Sequence, residues 1–196
     1  MRTWATAYCF VDIKPNNILL DYEETANGEV KVCSVQISDL EDAVLLPPGK
    51  NLQGCLSGNQ LWRSPESWAR ARQNTESDVF SFGIVAIYVV LKNMLFWTGD
   101  AAASGHDDAV WRPILRRHIS YFADEDGFQG LLEHIGERNA FFERLVALAA
   151  EVKPREPFGL WEYVDVEFRD LVVKMTNLDP ARRISAREAL EHPWFR

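Results

Sequence analysis

The segment from Val79 to Leu91 limits the folding of this chain more than any other, because no charged residue interrupts it before Lys92. Such a segment must lie either in a membrane or inside a protein. Spanning a bilayer takes about 20 consecutive apolar residues, and this segment is shorter. A helix that is apolar on all sides and too short to span a bilayer is typical of a protein core. We therefore expect a buried helix here and no membrane partner.

The overall composition is that of a globular protein. Of the 196 residues, 47% are hydrophobic and 26% are charged, which suits one domain of ordinary size. The net charge of −8 argues against nucleic acid as the main partner, because phosphate binding needs a basic face. With 3 Cys and no C-x-x-C pair, neither a disulfide framework nor a zinc site is expected. We expect one domain over residues 1–196, in a reducing intracellular compartment that is either cytoplasmic or nuclear.

The early part of the chain is expected to form a short β-hairpin at about 18–37. Apolar or β-branched runs at 18–20 and 30–37 flank Asn27-Gly28, and Asn-Gly between two such runs is a strong hairpin signal. Residues 40–65 then show little periodicity and are expected to form a long loop.

The rest of the chain is predicted to be helical. Ser64 suits an N-cap, and Pro65 suits the first position of a helix. Ser77 and Asp78 precede the long apolar helix. The spacing of apolar residues predicts helices at about 78–93, 107–122, 127–135, 138–151, 164–176 and 185–191. A linker of small residues is expected at 99–105. The fold class is therefore mainly α, with a small β element near the start.

A first polar cluster lies just before the hairpin. Asp12, Lys14 and Asn17 place a carboxylate, a cation and an amide within one short loop. Phosphoryl transfer uses this set: a proton acceptor, a cation that offsets phosphoryl charge, and an oxygen ligand for Mg²⁺. Taken alone, the cluster is more typical of a solvated surface loop.

A second polar cluster, Ser38-Asp39-Leu40-Glu41, follows the second hairpin strand. The hairpin would fold Asp39 back towards Asn17, where both side chains could meet one Mg²⁺ ion. The alternative is that Asp39 only caps a turn, as aspartate commonly does.

The order of the motifs along the chain favours the phosphoryl-transfer interpretation of both clusters over a solvated loop and a turn cap. From about residue 10 to residue 195, the sequence closely resembles the large, C-terminal lobe of a eukaryotic-type serine/threonine protein kinase. The motifs are, in chain order, Asp12-Ile13-Lys14-Pro15-Asn16-Asn17, Ser38-Asp39-Leu40-Glu41, Gly58 to Glu66, Ser77 to Gly83, and Asp179 to Ser185 with His192-Pro193-Trp194-Phe195. The resemblance implies a kinase-like lobe that runs from the catalytic loop to the end of the domain.

The resemblance also implies roles for individual residues. Asp12 would accept the proton of the substrate hydroxyl, and Lys14 would face the transferred phosphoryl group. Asn17 and Asp39 would hold Mg²⁺, and Leu19 would lie under the adenine of ATP. The implied cofactors are ATP and Mg²⁺, and the implied partner is a protein substrate or a regulatory protein.

Three more residues match structural positions of the family. Glu66 would form an ion pair with Arg183, and Asp78 would anchor the backbone of the catalytic loop. Breaking a buried ion pair of this kind leaves the surviving charge uncompensated.

The sequence departs from the family pattern around the site. Phe10-Val11 replaces His-Arg before Asp12, and Asp39-Leu40-Glu41 replaces Asp-Phe-Gly. Leu40 is expected to pack as Phe does, whereas Glu41 is expected to resist backbone angles that Gly permits. Asn59 replaces the usual Thr after Gly58.

The small lobe of the family is absent from these residues, since neither a Gly-rich phosphate loop nor its strand lysine precedes residue 10. Apolar surface that the small lobe would cover is expected to be exposed. Three interpretations remain open: ATP-dependent phosphoryl transfer to Ser or Thr of proteins, a pseudokinase or partner-binding helical module without catalysis, and a fragment with no independent function.

Overall fold

The computed structural model describes residues 7–10, 12–97, 99 and 107–196. The described residues contain four strands and seven α-helices. The strands are β1 (Ala7–Cys9), β2 (Ile18–Glu24), β3 (Val30–Ile37) and β4 (Val44–Leu46). The helices are α1 (Pro65–Trp68), α2 (Thr75–Leu91), α3 (Asp107–Phe122), α4 (Glu125–Ile135), α5 (Phe142–Glu151), α6 (Val166–Met175) and α7 (Ala186–Leu190).

The predicted hairpin is confirmed as the antiparallel pair β2–β3. Its register pairs Ile18 with Ile37 at the open end and Glu24 with Val30 next to the turn. Gly28 occupies the turn with a φ of 78°, a backbone angle that glycine adopts without a steric penalty. The register matters for function because it brings the residues on either side of the hairpin together.

The predicted loop at 40–65 contains a strand that the sequence pattern did not indicate. β4 pairs antiparallel with β1, with Ala7 opposite Leu46 and Cys9 opposite Val44. Both strands are too short to show an alternating pattern, so the pairing depends on tertiary contacts. The prediction of an unstructured segment was therefore wrong for Val44–Leu46.

The apolar segment forms the predicted core helix, but Phe82, Val89 and Val90 are exposed, so the helix is not buried on all sides. Helix α2 packs against α6 and β1, and its side chains Phe80, Ile84 and Ile87 are almost completely buried. The helix begins at Thr75 rather than at about 78, because the side chain of Asn74 caps it by accepting the Thr75 N–H. No helix formed by the residues that the structure describes is long and apolar enough to cross a membrane.

The remaining predicted helices are present, with shifts at their ends. Helix α4 begins at Glu125 because Asp124 caps it, and α5 begins at Phe142 rather than at about 138. The side chain of Asn139 accepts the N–H of Phe141, which holds a turn just before α5. The predicted linker at 99–105 lies outside the described residues except for Gly99.

A buried ion pair joins α1 to the segment before α7. Arg183 donates to Glu66 through two bonds, Nη1 to Oε1 at 2.5 Å and Nη2 to Oε2 at 2.7 Å. Ser77 Oγ donates to the same carboxylate at 2.6 Å. Burial is the largest single influence on the pKa of Glu66 and would raise it, but the charge of Arg183 and the hydrogen bonds from Arg183 and Ser77 together outweigh burial, so the pKa is lowered. The predicted pair is confirmed, and both of its charged groups are inaccessible to solvent.

The core contains a histidine among aromatic rings. His118 is fully buried, with its ring centroid 5.1 Å from that of Phe80 and 4.7 Å from that of Phe96. Neither ring nitrogen has a hydrogen-bond partner among the described residues. Burial lowers the pKa of His118 to about 3, so the ring is neutral at physiological pH.

The hairpin exposes apolar side chains on both faces. More than half of the surface of each of the following side chains is exposed: Leu19, Leu20, Tyr22, Val30, Val32 and Val35. This agrees with the expectation of exposed apolar surface at the N-terminal side. Such a surface favours association with another protein surface.

We predict that Glu66→Gln lowers the free energy of unfolding by about 3 to 5 kcal/mol, because Arg183 is then buried without a counter-charge. Urea denaturation followed by circular dichroism measures the change. Glu151→Gln is the matched control, since the Arg112–Glu151 pair is exposed and its loss should change stability by less than about 1 kcal/mol. Equal effects of the two substitutions would contradict a special role for the buried pair.

We also predict that stability falls as the pH is lowered through the acidic range. Between pH 6.5 and about 3, the unfolded state protonates His118 while the folded state does not, so acid favours unfolding. Going from about pH 7 to about pH 5 should cost about 2 kcal/mol from this group. Unfolding free energies of the parent and of a His118→Phe variant, measured at both pH values, test this. An identical pH dependence in the two proteins would refute it.

Candidate active site

Asp12 lies in the loop between β1 and the 3₁₀ turn Pro15–Asn17, and three groups contact its carboxylate. Lys14 Nζ is 2.6 Å from Oδ2, and Asn17 Nδ2 donates to the same oxygen at 3.3 Å. The backbone N–H of Asn59 donates to Oδ1 at 2.8 Å. The carboxylate is therefore held in one orientation while its side chain stays 17% exposed. This is the arrangement that a positioned proton acceptor needs.

The core fixes the loop that carries Asp12. The backbone N–H of Phe10 donates to Asp78 Oδ2 on α2 at 2.8 Å. The side chain of Ile13 is buried in the main hydrophobic cluster, and Asn17 is buried as well. Asn17 Nδ2 closes the loop with a 3.0 Å bond to the carbonyl oxygen of Asp12. Asp78 thus makes the backbone contact that the resemblance implied for it.

The hairpin register brings the second polar cluster to the first. Because Ile18 pairs with Ile37, the next residue, Ser38, lies beside Asn17, whose carbonyl oxygen accepts the Ser38 N–H at 2.8 Å. Asp39 follows, and its Oδ2 lies 3.9 Å from Lys14 Nζ. Lys14 therefore lies between the two carboxylates. The structure brings Asp12, Lys14, Asn17 and Asp39 together in one site.

Leu19, the fifth residue that the sequence analysis singled out, lies outside this polar cluster. It occupies β2 opposite Gln36, and its side chain is 51% exposed. It belongs to the exposed apolar surface of the hairpin, next to the cluster along the chain.

The segment after Ser38 differs from the expectation in two ways. Asp39, not Glu41, adopts the left-handed conformation, with φ 59° and ψ 53°. Glu41 lies in the 3₁₀ turn Leu40–Asp42 with a negative φ, so the expected backbone conflict at Glu41 is absent. Aspartate tolerates the left-handed region better than most side chains do, which explains the shift. Leu40 is 51% exposed, so the expectation that it packs as Phe does was wrong.

The donor atoms of the site fit a Mg²⁺ ion that also binds phosphate. Asn17 uses its Nδ2 hydrogens on Asp12, which leaves its Oδ1 as the atom that can bind a cation. Asp39 adds a carboxylate that is about half exposed. Mg²⁺ prefers one or two protein oxygens together with phosphate oxygens and water. Within the described ranges no cluster of three or more His, Cys, Asp or Glu forms a metal site.

The sequence did not predict the roles that Asn59 and Arg63 have around Asp12. Asn59 acts through its backbone N–H, which leaves no signature in the side-chain pattern. Arg63 donates Nε to the carbonyl oxygen of Ser57 at 2.7 Å and Nη2 to that of Gly58. These bonds hold the segment that presents Asn59 to Asp12. Burial lowers the pKa of Arg63 to about 10, against the opposing charge of Asp12.

The comparison with known families now decides the lineage. Residues 4–195 match the model of the protein kinase domain. The chain belongs to the protein kinase family. This kinase family membership agrees with the convergence of Asp12, Lys14, Asn17 and Asp39 described above.

Curated relatives of this kinase chain are serine/threonine and dual-specificity kinases. It is 27% identical over 184 residues to the serine/threonine-protein kinase PEPKR2 of Arabidopsis thaliana, covering 94% of this chain and 28% of that protein. It is 28% identical over 198 residues to the dual specificity protein kinase CLK1 of Homo sapiens, covering 94% of this chain and 39% of that protein. The chain therefore spans well under half the length of these relatives.

The solved structures support the fold. A crystal structure described as a kinase domain superposes with a TM-score of 0.65 at 18% sequence identity, covering 96% of this chain and 60% of that one. At this identity the likeness shows a kinase-like fold and carries no information on substrate.

We predict that Asp78→Ala loosens the loop of this kinase that carries Asp12. The substitution removes the acceptor of the Phe10 N–H, and a hydrogen bond to a charged group contributes about 1.5 kcal/mol or more. Hydrogen exchange at the Phe10 amide should therefore accelerate by about tenfold or more. Asp165→Ala is the matched control, because Asp165 accepts backbone N–H groups at the start of α6. Unchanged exchange at Phe10 in the Asp78 variant would contradict the anchoring role.

Proposed function

We propose that this chain carries the phosphoryl-transfer site of a kinase that moves the γ-phosphoryl group of ATP to Ser or Thr hydroxyls of proteins. The convergence of Asp12, Lys14, Asn17 and Asp39 at the open end of the hairpin carries the proposal. Chance would rarely bring together a positioned carboxylate, a cation and two oxygen ligands from two separate clusters of the sequence. Phosphoryl transfer depends mainly on positioning and electrostatic stabilisation, which is what this set supplies.

Asp12 is the proton acceptor in the proposed mechanism. Its carboxylate is fixed by Asn17 and by the backbone of Asn59, and the partly exposed side chain can meet a substrate hydroxyl. As the hydroxyl oxygen bonds to the γ-phosphorus, the bond from that phosphorus to the β–γ bridging oxygen breaks, ADP leaves with its electron pair, and the hydroxyl proton passes to Asp12. A positioned carboxylate of this type contributes about 10² to 10⁴ in rate.

Lys14 would supply positive charge next to the phosphoryl group while that group is transferred. Its ammonium group is 2.6 Å from Asp12 and 3.9 Å from Asp39, so it offsets the repulsion between two carboxylates that face one site. The same ammonium group can stabilise the oxygens of the phosphoryl group during transfer.

Asn17 and Asp39 would hold Mg²⁺, and Leu19 would contribute an apolar contact to the adenine of ATP. Bound Mg-ATP supplies the electrophilic phosphoryl group. The hairpin suits this arrangement because Asn17 precedes its first strand and Asp39 follows its second, which puts both residues at the open end, with Leu19 on the first strand.

The domain assignment is part of the same proposal: residues 1–196 form the large lobe, from the catalytic loop to the domain end. In this family ATP lies between two lobes, and the exposed apolar surface of the hairpin suits contact with a second lobe. The expected setting is intracellular, and the expected macromolecular partner is a protein.

A second candidate function is that of a partner-binding module without catalysis. The exposed apolar hairpin favours it, and so does the Phe10-Val11 pair that replaces His-Arg before Asp12. In this case the chain would bind a regulatory protein through the hairpin and would not turn over ATP.

We predict that Asp12→Asn lowers phosphoryl transfer by about 10² to 10⁴, because the proton acceptor is lost while the fold is kept. Transfer of labelled phosphate from Mg-ATP to serine-containing peptides measures the effect. Asp21→Asn is the matched control, because Asp21 is an exposed carboxylate of the same hairpin away from the site. It should leave transfer unchanged.

The outcome also separates the two candidate functions. Equal transfer by the parent and the Asp12→Asn variant would contradict the role of Asp12. A parent protein that transfers no phosphate and gains no thermal stability from Mg-ATP would favour the partner-binding function, since a ligand of the folded state raises its stability.

A further inference from the structure

Arg63 is a buried cation next to the candidate site. Only 9% of it is exposed, and burial lowers its pKa to about 10 while the charge of Asp12 favours the ionised form. The guanidinium group is therefore charged at neutral pH. A buried charge is stable only where it is paired or hydrogen-bonded, so its bonding partners indicate its role.

The side chain of Arg63 binds two consecutive backbone carbonyl groups. Nε donates to the carbonyl oxygen of Ser57 at 2.7 Å, and Nη2 donates to that of Gly58. These two donors lie on one edge of the planar guanidinium group, so they bind a pair of acceptors in a fixed geometry. Gly58 has a φ of 76°, a backbone angle that suits glycine, and in this turn both carbonyls face the same guanidinium group.

The second of these carbonyl groups belongs to the peptide unit that contacts Asp12. The carbonyl of Gly58 and the N–H of Asn59 are the two ends of one planar peptide group, and this N–H donates to Asp12 Oδ1 at 2.8 Å. The peptide bond is trans, so its C=O and N–H point in opposite directions. Arg63 and Asp12 therefore bind opposite ends of the same rigid group.

The charges of Arg63 and Asp12 strengthen both of these bonds. A guanidinium group on the carbonyl oxygen polarises the peptide group, and a polarised N–H is a better donor to a carboxylate. The cation and the anion act in the same direction across the peptide. Loss of the cation would thus weaken the bond from the N–H to Oδ1 as well as free the carbonyl.

Packing fixes Arg63 but not Asn59. The guanidinium carbon of Arg63 lies 4.5 Å from the ring centroid of Trp68, which is buried on α1. Asn59 is exposed, so core packing does not set its position. Ser67 Oγ donates to the carbonyl oxygen of Ser57 at 2.8 Å, which holds the preceding peptide group, whereas Arg63 also binds the next one.

The two oxygens of the Asp12 carboxylate have different partners. Lys14 and Asn17 contact Oδ2, whereas the N–H of Asn59 binds Oδ1. Loss of the Asn59 bond would let the carboxylate turn about its Oδ2 contacts. A misplacement of about 1 Å at a reacting group can lower a rate by about 10²-fold.

We propose that Arg63 is a positioning residue, which orients the Asp12 carboxylate through the peptide group that joins Gly58 to Asn59. The effect of this orientation on rate rests on the proposed phosphoryl-transfer function. Arg63 acts only through the peptide group and has no contact with the transferred phosphoryl group in this proposal.

Hydrogen exchange at the Asn59 amide, followed by NMR, tests the geometry without catalysis. Arg63→Met removes both bonds and the charge, and we expect exchange at Asn59 to accelerate by about tenfold or more. Arg63→Lys keeps the charge without the paired donors and should accelerate exchange by a smaller factor. This second variant also serves if Arg63→Met does not fold, which circular dichroism shows.

Arg117→Met is the matched control for exchange. Nη1 of Arg117 also donates to two carbonyl oxygens, those of Leu95 and Trp97, at 2.9 Å each, but these belong to a different segment. The substitution should leave exchange at Asn59 unchanged.

A double-mutant cycle separates positioning from a merely structural role. In the parent, Arg63→Met should lower kcat for phosphoryl transfer by about tenfold to 10²-fold and leave KM for the peptide unchanged, because alignment of the proton acceptor matters in the transition state. In the Asp12→Asn variant no proton acceptor is left to orient, so the same substitution should lower kcat by less than about twofold. A structural role would give the same factor in both backgrounds.

Two results would overturn the inference: unchanged exchange at Asn59 in the folded Arg63 variants, or equal losses of kcat in the two backgrounds. Its failure is distinguishable from failure of the proposed function. Phosphoryl transfer together with unchanged exchange at Asn59 would contradict the inference alone. Faster exchange in the variants of a parent that transfers no phosphate would contradict the proposed function and support the orientation of Asp12 by Arg63.

Discussion

The first turn of α2 is the constraint on which the rest of the structure depends. The helix is fixed in the core by buried side chains that follow this turn, among them Phe80 and Ile84, and three polar groups of the turn hold other segments. Asp78 accepts the N–H of Phe10, and Ser77 donates to Glu66. The carbonyl oxygen of Glu76 accepts a bond from Arg183 at 3.0 Å. One buried helix end thus positions the loop of Asp12 and the buried ion pair together.

This arrangement explains why polar residues are buried at the start of an apolar helix. A charged group removed from water must be paired and hydrogen-bonded, or it shifts its pKa and loses its charge. Glu66 stays ionised because Arg183 and Ser77 bind both of its oxygens. The same core contains His118, which has no such partners and is neutral instead. The contrast shows that pairing, rather than depth of burial, decides which groups stay charged here.

The sequence predicted those parts of the fold whose signals are local. Asn27-Gly28 located the hairpin, and Ser64 located the start of α1, whose cap is present. What the sequence did not predict depends on distant contacts. β1 and β4 are defined by pairing with each other across the chain, and neither has a pattern of its own. The start of α2 was misplaced because Ser77 and Asp78, both good capping types, bind other segments, whereas Asn74 makes the cap.

The candidate site, too, was predicted from the sequence only in part. The positions of Asp12, Lys14, Asn17 and Asp39 followed from motif order, and the hairpin register then brought them together as expected. The expected backbone conflict at Glu41 came from a comparison of residue types alone. This conflict is absent because Asp39 adopts the left-handed backbone angles, while Glu41 lies in a 3₁₀ turn. A residue type limits the allowed backbone angles, but neighbouring residues decide which position has to adopt them.

Electrostatics connects the site to its surroundings. The chain carries a net charge of −8, yet Lys14 lies between two carboxylates, 2.6 Å from Asp12 and 3.9 Å from Asp39. The net charge of the chain disfavours anionic ligands such as phosphate, and the two carboxylates of the site add to this effect. In the proposed function, the ammonium group of Lys14 would offset the repulsion between these carboxylates and a phosphoryl group, which is why a cation is needed between them.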